Sequence, residues 1–61
     1  MKFTIIKRDN TKEKIELQAL PNINDKIEYN NEIFMVEYVI HSKDNIDLYV
    51  FKVRDKFNGF R

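Results

Sequence analysis

Glu32-Ile33-Phe34-Met35-Val36-Glu37-Tyr38-Val39-Ile40-His41 is the stretch whose reading decides the fold. A helix repeats its faces every third or fourth residue and a strand every second. At period two, Phe34, Val36, Tyr38 and Ile40 share one face, and Ile33, Met35 and Val39 share the other. The run is rich in β-branched and aromatic residues, which suit a pleated surface. Asn30-Asn31 just before it fits a two-residue type I′ turn, because asparagine tolerates the positive φ that turn requires. The stretch therefore reads as a strand entered by a hairpin from a short strand, Lys26 to Tyr29. Both faces are apolar, so strict alternation does not say which one looks inward. A bulge near Glu37-Tyr38 would bring Phe34, Val36 and Val39 to one side and bend the strand strongly.

Period two continues outward in both directions. Phe3 and Ile5 alternate with Thr4, Ile6 and Arg8 in a first strand, and Asp9-Asn10-Thr11-Lys12 reads as a turn, since Asp and Asn side chains bond nearby backbone. The return strand is predicted over Lys14 to Ala19, with Ile15, Leu17 and Ala19 on one face. Residues 12–20 are also rich in helix formers, so an α+β arrangement with a short helix there is the alternative. Pro21 ends whichever element precedes it, having no amide hydrogen, and Asn22 to Asp25 continue as a loop. On the other side Ser42-Lys43-Asp44-Asn45 turns the chain into a last strand, Ile46 to Arg54. Residues 55–61 form a C-terminal tail.

Five short strands at this spacing predict an all-β fold: one small, strongly bent, five-stranded antiparallel barrel whose closure hides the strand edges. At 61 residues there is material for a single domain, residues 1–61, with marginal stability. No cysteine is present to staple it, so its core must hold by apolar packing, by self-association or by a partner, in a cytoplasmic setting. The longest apolar runs, such as Ile33 to Val36, fall far short of the roughly 20 residues needed to cross a bilayer. The start, Met1 to Arg8, lacks the apolar region of a secretory signal. No membrane association is expected.

The stretch LPNINDKIEYNNEIFMVEYVIH, Leu20 to His41, resembles a pattern of small Src-homology-3-like barrels from phages and low-GC bacteria. There, a Leu-Pro step and an Asp open a strand, a turn follows, and an aromatic-x-Val-x-x-Val strand comes next. The family pattern has Gly before that Asp and in the hairpin turn, where this chain has Asn24 and Asn30-Asn31. The resemblance covers about a third of the chain and implies a barrel fold, while such barrels serve as binding modules, structural pieces and nucleic-acid readers alike. Isoleucine, lysine and asparagine supply 23 of the 61 residues, the bias of AT-rich coding, which agrees with a phage or mobile-element source.

Chemistry is sparse. Nucleophilic catalysis needs an activated nucleophile beside a base; Ser42 and His41 are the only Ser and His and, as neighbours at a strand end, point to opposite faces. Zinc usually takes three or four Cys or His ligands, which this composition does not supply, and a single glycine makes no phosphate-cradling loop. No enzyme activity, cofactor or metal is expected. Charge says more: residues 1–20 carry net +2, residues 21–50 net −4 and residues 51–61 net +3. If the first and last strands pair, Lys2, Lys7, Arg8, Lys52, Arg54, Lys56 and Arg61 gather as a basic face, with Tyr49, Phe51, Phe57 and Phe60 as aromatic contacts nearby. Phe57 and Phe60 are expected to cap the open end of the barrel, the alternative being an exposed hook for another chain. The function this favours is a non-enzymatic module that binds a protein partner or itself; the alternative is a nucleic-acid-binding module that uses the basic face.

Overall fold

A computed structural model of the chain describes residues 1–56. Its strands are β1 (Lys2–Lys7), β2 (Lys12–Glu16), β3 (Lys26–Tyr29), β4 (Glu32–His41) and β5 (Ile46–Asp55). They form one sheet in the order β2-β1-β5-β4-β3, and no helix occurs among the described residues. The fold is all-β, and the helix alternative for residues 12–20 is not realised.

Turn chemistry sets the strand ends. The β1–β2 loop closes with Lys7 N–H donating to the Thr11 carbonyl at 2.9 Å and Asn10 N–H to the Lys7 carbonyl at 2.8 Å, with Asn10 at φ 70°. This is a type I turn followed by a left-handed residue. The Asp9 carboxylate accepts from Thr11 N–H at 3.0 Å, so the turn is complete at Thr11 and the return strand begins at Lys12 instead of Lys14. It ends at Glu16 instead of Ala19, with Leu17 N–H bonded to the carbonyl of Met1 just past the last ladder pair, Lys2 with Glu16. Asn24, Asn30 and Asn31 also have positive φ, at 76°, 58° and 62°. Asparagine thus fills the left-handed positions where glycine is the usual choice, and Asn30-Asn31 is the tight turn the sequence predicts.

The expected antiparallel barrel needs two corrections. Every connection reverses the chain, so the first and fifth strands run the same way. Their pairing, Thr4 with Asp47 through Lys7 with Val50, is parallel. The sheet is also not closed. No Cα of β2 comes within 8 Å of β3, whereas strands in a ladder lie about 4.8 Å apart. What spans the opening is a side-chain bridge, the Tyr29 hydroxyl donating to Glu13.

The core lies on one face. Phe3, Ile5, Ile27, Phe34, Val36, Leu48 and Val50 are buried together, and Ile15, Leu17, Tyr29, Val39 and Ile46 pack against them. A flat sheet leaves both faces wet, so burying Ile27 of edge strand β3 with Phe3 of β1 requires the sheet to coil around its own interior. Two bulges between β4 and β5 supply curvature. Val36 pairs with Val50 but Tyr38 with Tyr49, leaving Glu37 as the extra residue; Ile33 pairs with Arg54 but Phe34 with Lys52, leaving Val53 as the extra one.

A domain of this length is stable by only about 3–9 kcal/mol. Leu48, with 0% of its surface exposed, fills the centre of the core. Leu48→Ala is expected to cost about 2–5 kcal/mol and to leave little folded protein, whereas Tyr38→Ala, at a 62% exposed position, should shift the urea midpoint only slightly. Equilibrium urea unfolding followed by circular dichroism checks both.

Candidate interaction surfaces

Consecutive strand residues face opposite ways, and that rule distributes the cations. Lys7 pairs with Val50 and points to the core side, where its ammonium sits 5.2 Å from the Phe34 ring centroid and 5.9 Å from that of Tyr29. It also lies 3.6 Å from Glu13. Arg8 follows on the outer side, with its guanidinium carbon 4.3 Å from the Phe51 ring centroid. Its Nη2 and Nε donate to the two Glu37 oxygens at 2.6 and 3.2 Å, a bidentate pair that uses the planar fork of arginine.

Lys52 reaches Glu32 at 3.1 Å and Asp55 at 2.7 Å, and Lys56 reaches Glu28 at 2.7 Å. Arg54 stands opposite Ile33. Of the sequence-predicted cations, Lys7, Arg8 and Lys52 share one cleft of about 400 Å³ with Asp9, Glu32, Phe34 and Phe51. Arg54 and Lys56 do not line it. Arg61, Phe57 and Phe60 lie outside the described residues.

The carboxylates are as prominent as the cations. The hydrogen bond from Arg8 holds Glu37 below the usual carboxylate range and raises the Arg8 guanidinium further. Asp55, then Glu32, raises the Lys52 ammonium. Hydrogen bonds from Thr11 lower the Asp9 carboxyl, and the bond to Glu13 raises the Tyr29 phenol. Lys7, Arg8, Lys52 and Lys56 each have an acidic partner, so the first and last strands bring positive charge together already interleaved with negative charge.

Tyr49 lies on the outer side, opposite Ile6 of β1 and Tyr38 of β4. Because Glu37 is an extra residue, Tyr38 and Ile40 leave the side held by Phe34 and Val36. They join Tyr49, together with the outward Met35 and Phe51 of the next pair. Tyr38 is 62% and Ile40 47% exposed, with Val53 at 42%. Sequence reading anticipates the bulge and the inward turn of Val39; the consequence for Tyr38 and Ile40 follows from the same bulge but needs the register to be seen.

His41 and Ser42 are exposed at the end of β4. No group of three or more His, Cys, Asp or Glu able to hold a metal occurs among the described residues.

Comparison with protein-family models, with curated proteins and with solved structures finds no match. What the chain does must be argued from its own surfaces.

Glu37 binds its proton less readily in the folded state than at its ordinary value of 4.5. Its pairing therefore contributes stability that is fully present above that value and is lost as pH falls through the lower, folded one. Thermal melts taken from neutral into acid should show this loss in the wild type and a shallower acid limb in Glu37→Gln.

Proposed function

We propose that the chain is a non-enzymatic interaction module that binds a protein surface through the outer side of its β4–β5 ladder. The observation that carries this reading is the exposure of Tyr38 and Ile40 beside the half-buried Tyr49. A small domain has every reason to use its large apolar side chains inside; leaving a cross-strand tyrosine pair beside an isoleucine on the outside suits a surface that another protein covers. Tyr, Arg and Met are also the residue types enriched where protein interfaces concentrate their energy. Arg8, over the Phe51 ring and bonded to Glu37, gives the patch a polar border.

The finer reading of the fold is a Src-homology-3-like module of phage or low-GC bacterial type, acting in the cytoplasm. It is supported by the Leu20 to His41 pattern, by positive φ at the asparagines that replace the family's glycines, and by the cysteine-free composition.

Affinity capture from the host, followed by titration calorimetry with the captured protein, tests the function. Tyr38→Ala and Ile40→Lys should each weaken binding about tenfold or more, with circular dichroism unchanged. A partner held equally well by both variants overturns the assignment of the surface. Absence of any partner and of self-association overturns the function.

A second reading, nucleic-acid binding, is favoured by the convergence of Lys7, Arg8 and Lys52 on the cleft beside Phe51. A phosphate there would have to displace carboxylates already bonded to all three, which is why the protein-binding reading is preferred. Gel-shift assays with single-stranded DNA and RNA at low salt should show no complex; a complex that weakens steeply with salt and with Arg8→Ala would reverse that preference.

A further inference from the structure

We infer that the free edge of β3 is where a second copy of the chain adds its own β3, antiparallel, to make one continuous sheet about a two-fold axis. This rests on the reading of the chain as an interaction module and names one of its partners, on a surface separate from the Tyr38 patch.

The backbone bonding fixes which groups the edge offers. Val36 N–H donates to the Asp25 carbonyl at 2.9 Å. In an antiparallel ladder, residues alternate between pointing their backbone groups at the partner strand and away from it. The Asp25 carbonyl and the backbone groups of Ile27 and Tyr29 therefore turn toward β4, while Asp25 N–H bonds the Asn22 carbonyl, and Lys26 and Glu28 turn theirs to the open side, where no strand among the described residues pairs with β3. Two such edges brought together antiparallel and centred on Ile27 set Lys26 of each copy opposite Glu28 of the other. The same residues exchange backbone N–H···O bonds. Directly opposed charges of opposite sign stabilise such a pair and like charges oppose it.

This edge allows a single charge-matched register. A slide by one step that keeps the two cores on the same side sets Lys26 against Lys26, or Glu28 against Glu28. The other edge has one charge-matched register as well. By the same parity, set by the Lys7 to Thr11 bond, β2 offers Lys12, Lys14 and Glu16. Centring on Glu13 opposes Lys12 with Lys14, and centring on Lys14 opposes that lysine with itself. Centring on Ile15 opposes Lys14 with Glu16, which also holds the N-terminal ammonium at 3.0 Å, as Glu28 of β3 holds Lys56 at 2.7 Å; what favours β3 is the groove beside it.

Beside β3 the surface is shaped for an added strand. A groove of about 410 Å³ runs between residues 25–28 and residues 17–21. Leu17, Leu20 and Pro21 contribute its apolar wall. A second copy fits because its own Lys26-Ile27-Glu28, read in reverse, is the acid-apolar-base sequence that the edge calls for.

Sedimentation equilibrium over a range of concentrations tests the inference. The wild type should dimerise. Lys26→Glu and Glu28→Lys should each raise the dissociation constant about tenfold or more, while an equimolar mixture of the two variants should re-form a dimer, since each then opposes the other's charges. Circular dichroism of each variant establishes that it is folded. A wild type still monomeric at millimolar concentration overturns the inference. So does a dimer indifferent to both substitutions, or a mixture that fails to associate. The protein-binding reading falls separately, by the response of the captured partner to Ile40→Lys.

Discussion

The structure depends on the β4–β5 ladder being bent. With one sheet, no helix among the described residues and no disulfide, the chain can make an interior only by coiling that sheet over itself. The bulges at Glu37 and Val53 introduce residues with no ladder partner, and each raises the local twist. They allow Phe34 and Val36 to meet Phe3 and Ile5 across the parallel β1–β5 pair and Ile27 from the far edge. The same extra residue at Glu37 sends Tyr38 and Ile40 outward. Core formation and exposure of the outer patch are thus two results of one backbone irregularity.

Curvature without closure explains the surface chemistry. Among the described residues, the strands at the two ends of the sheet have no ladder partner on their outer sides, and both carry alternating charges, Lys12 to Glu16 on one and Lys26 to Glu28 on the other. Charged edge residues guard against indiscriminate pairing, yet in the right register they also select a partner. Across the opening, the Tyr29–Glu13 hydrogen bond and the Lys7 ammonium over the Tyr29 and Phe34 rings tie the margins together with side chains where a closed barrel uses a ladder. Three further cations, Arg8, Lys52 and Lys56, are held in the same way by carboxylates of a different strand. Arg8 with Glu37 joins the end of β1 to the β4 bulge, and Lys56 with Glu28 joins the end of β5 to β3.

Much of this was legible before any coordinates. The strand over Glu32 to His41, the Asn30-Asn31 turn and the bulge near Glu37 follow from side-chain period and from the tolerance of asparagine for positive φ, whereas the pairing of the first strand with the last was only a condition attached to the expected barrel. The direction of that pairing was not read: an antiparallel barrel was expected, and the first and fifth strands run parallel. The extent of β2 was not legible, because it depends on the register of the β1–β2 ladder, which runs from Ile6 with Lys12 to Lys2 with Glu16. The candidate cations could be named from the last strand and the first turn, but their neutralisation could not. Glu13, Glu28, Glu32 and Glu37 reach them from strands remote in sequence.

By itself, the sequence determined the local grammar: which residues extend, where the chain turns, and that no cysteine braces it. Those features act within a few residues and depend on backbone sterics and period. Tertiary structure alone decided that the sheet stays open, that positive charges meet negative ones, and that Tyr38 stands beside Tyr49 on the outside. Such outcomes depend on register between distant strands, where one unpaired residue exchanges inside for outside in everything that follows.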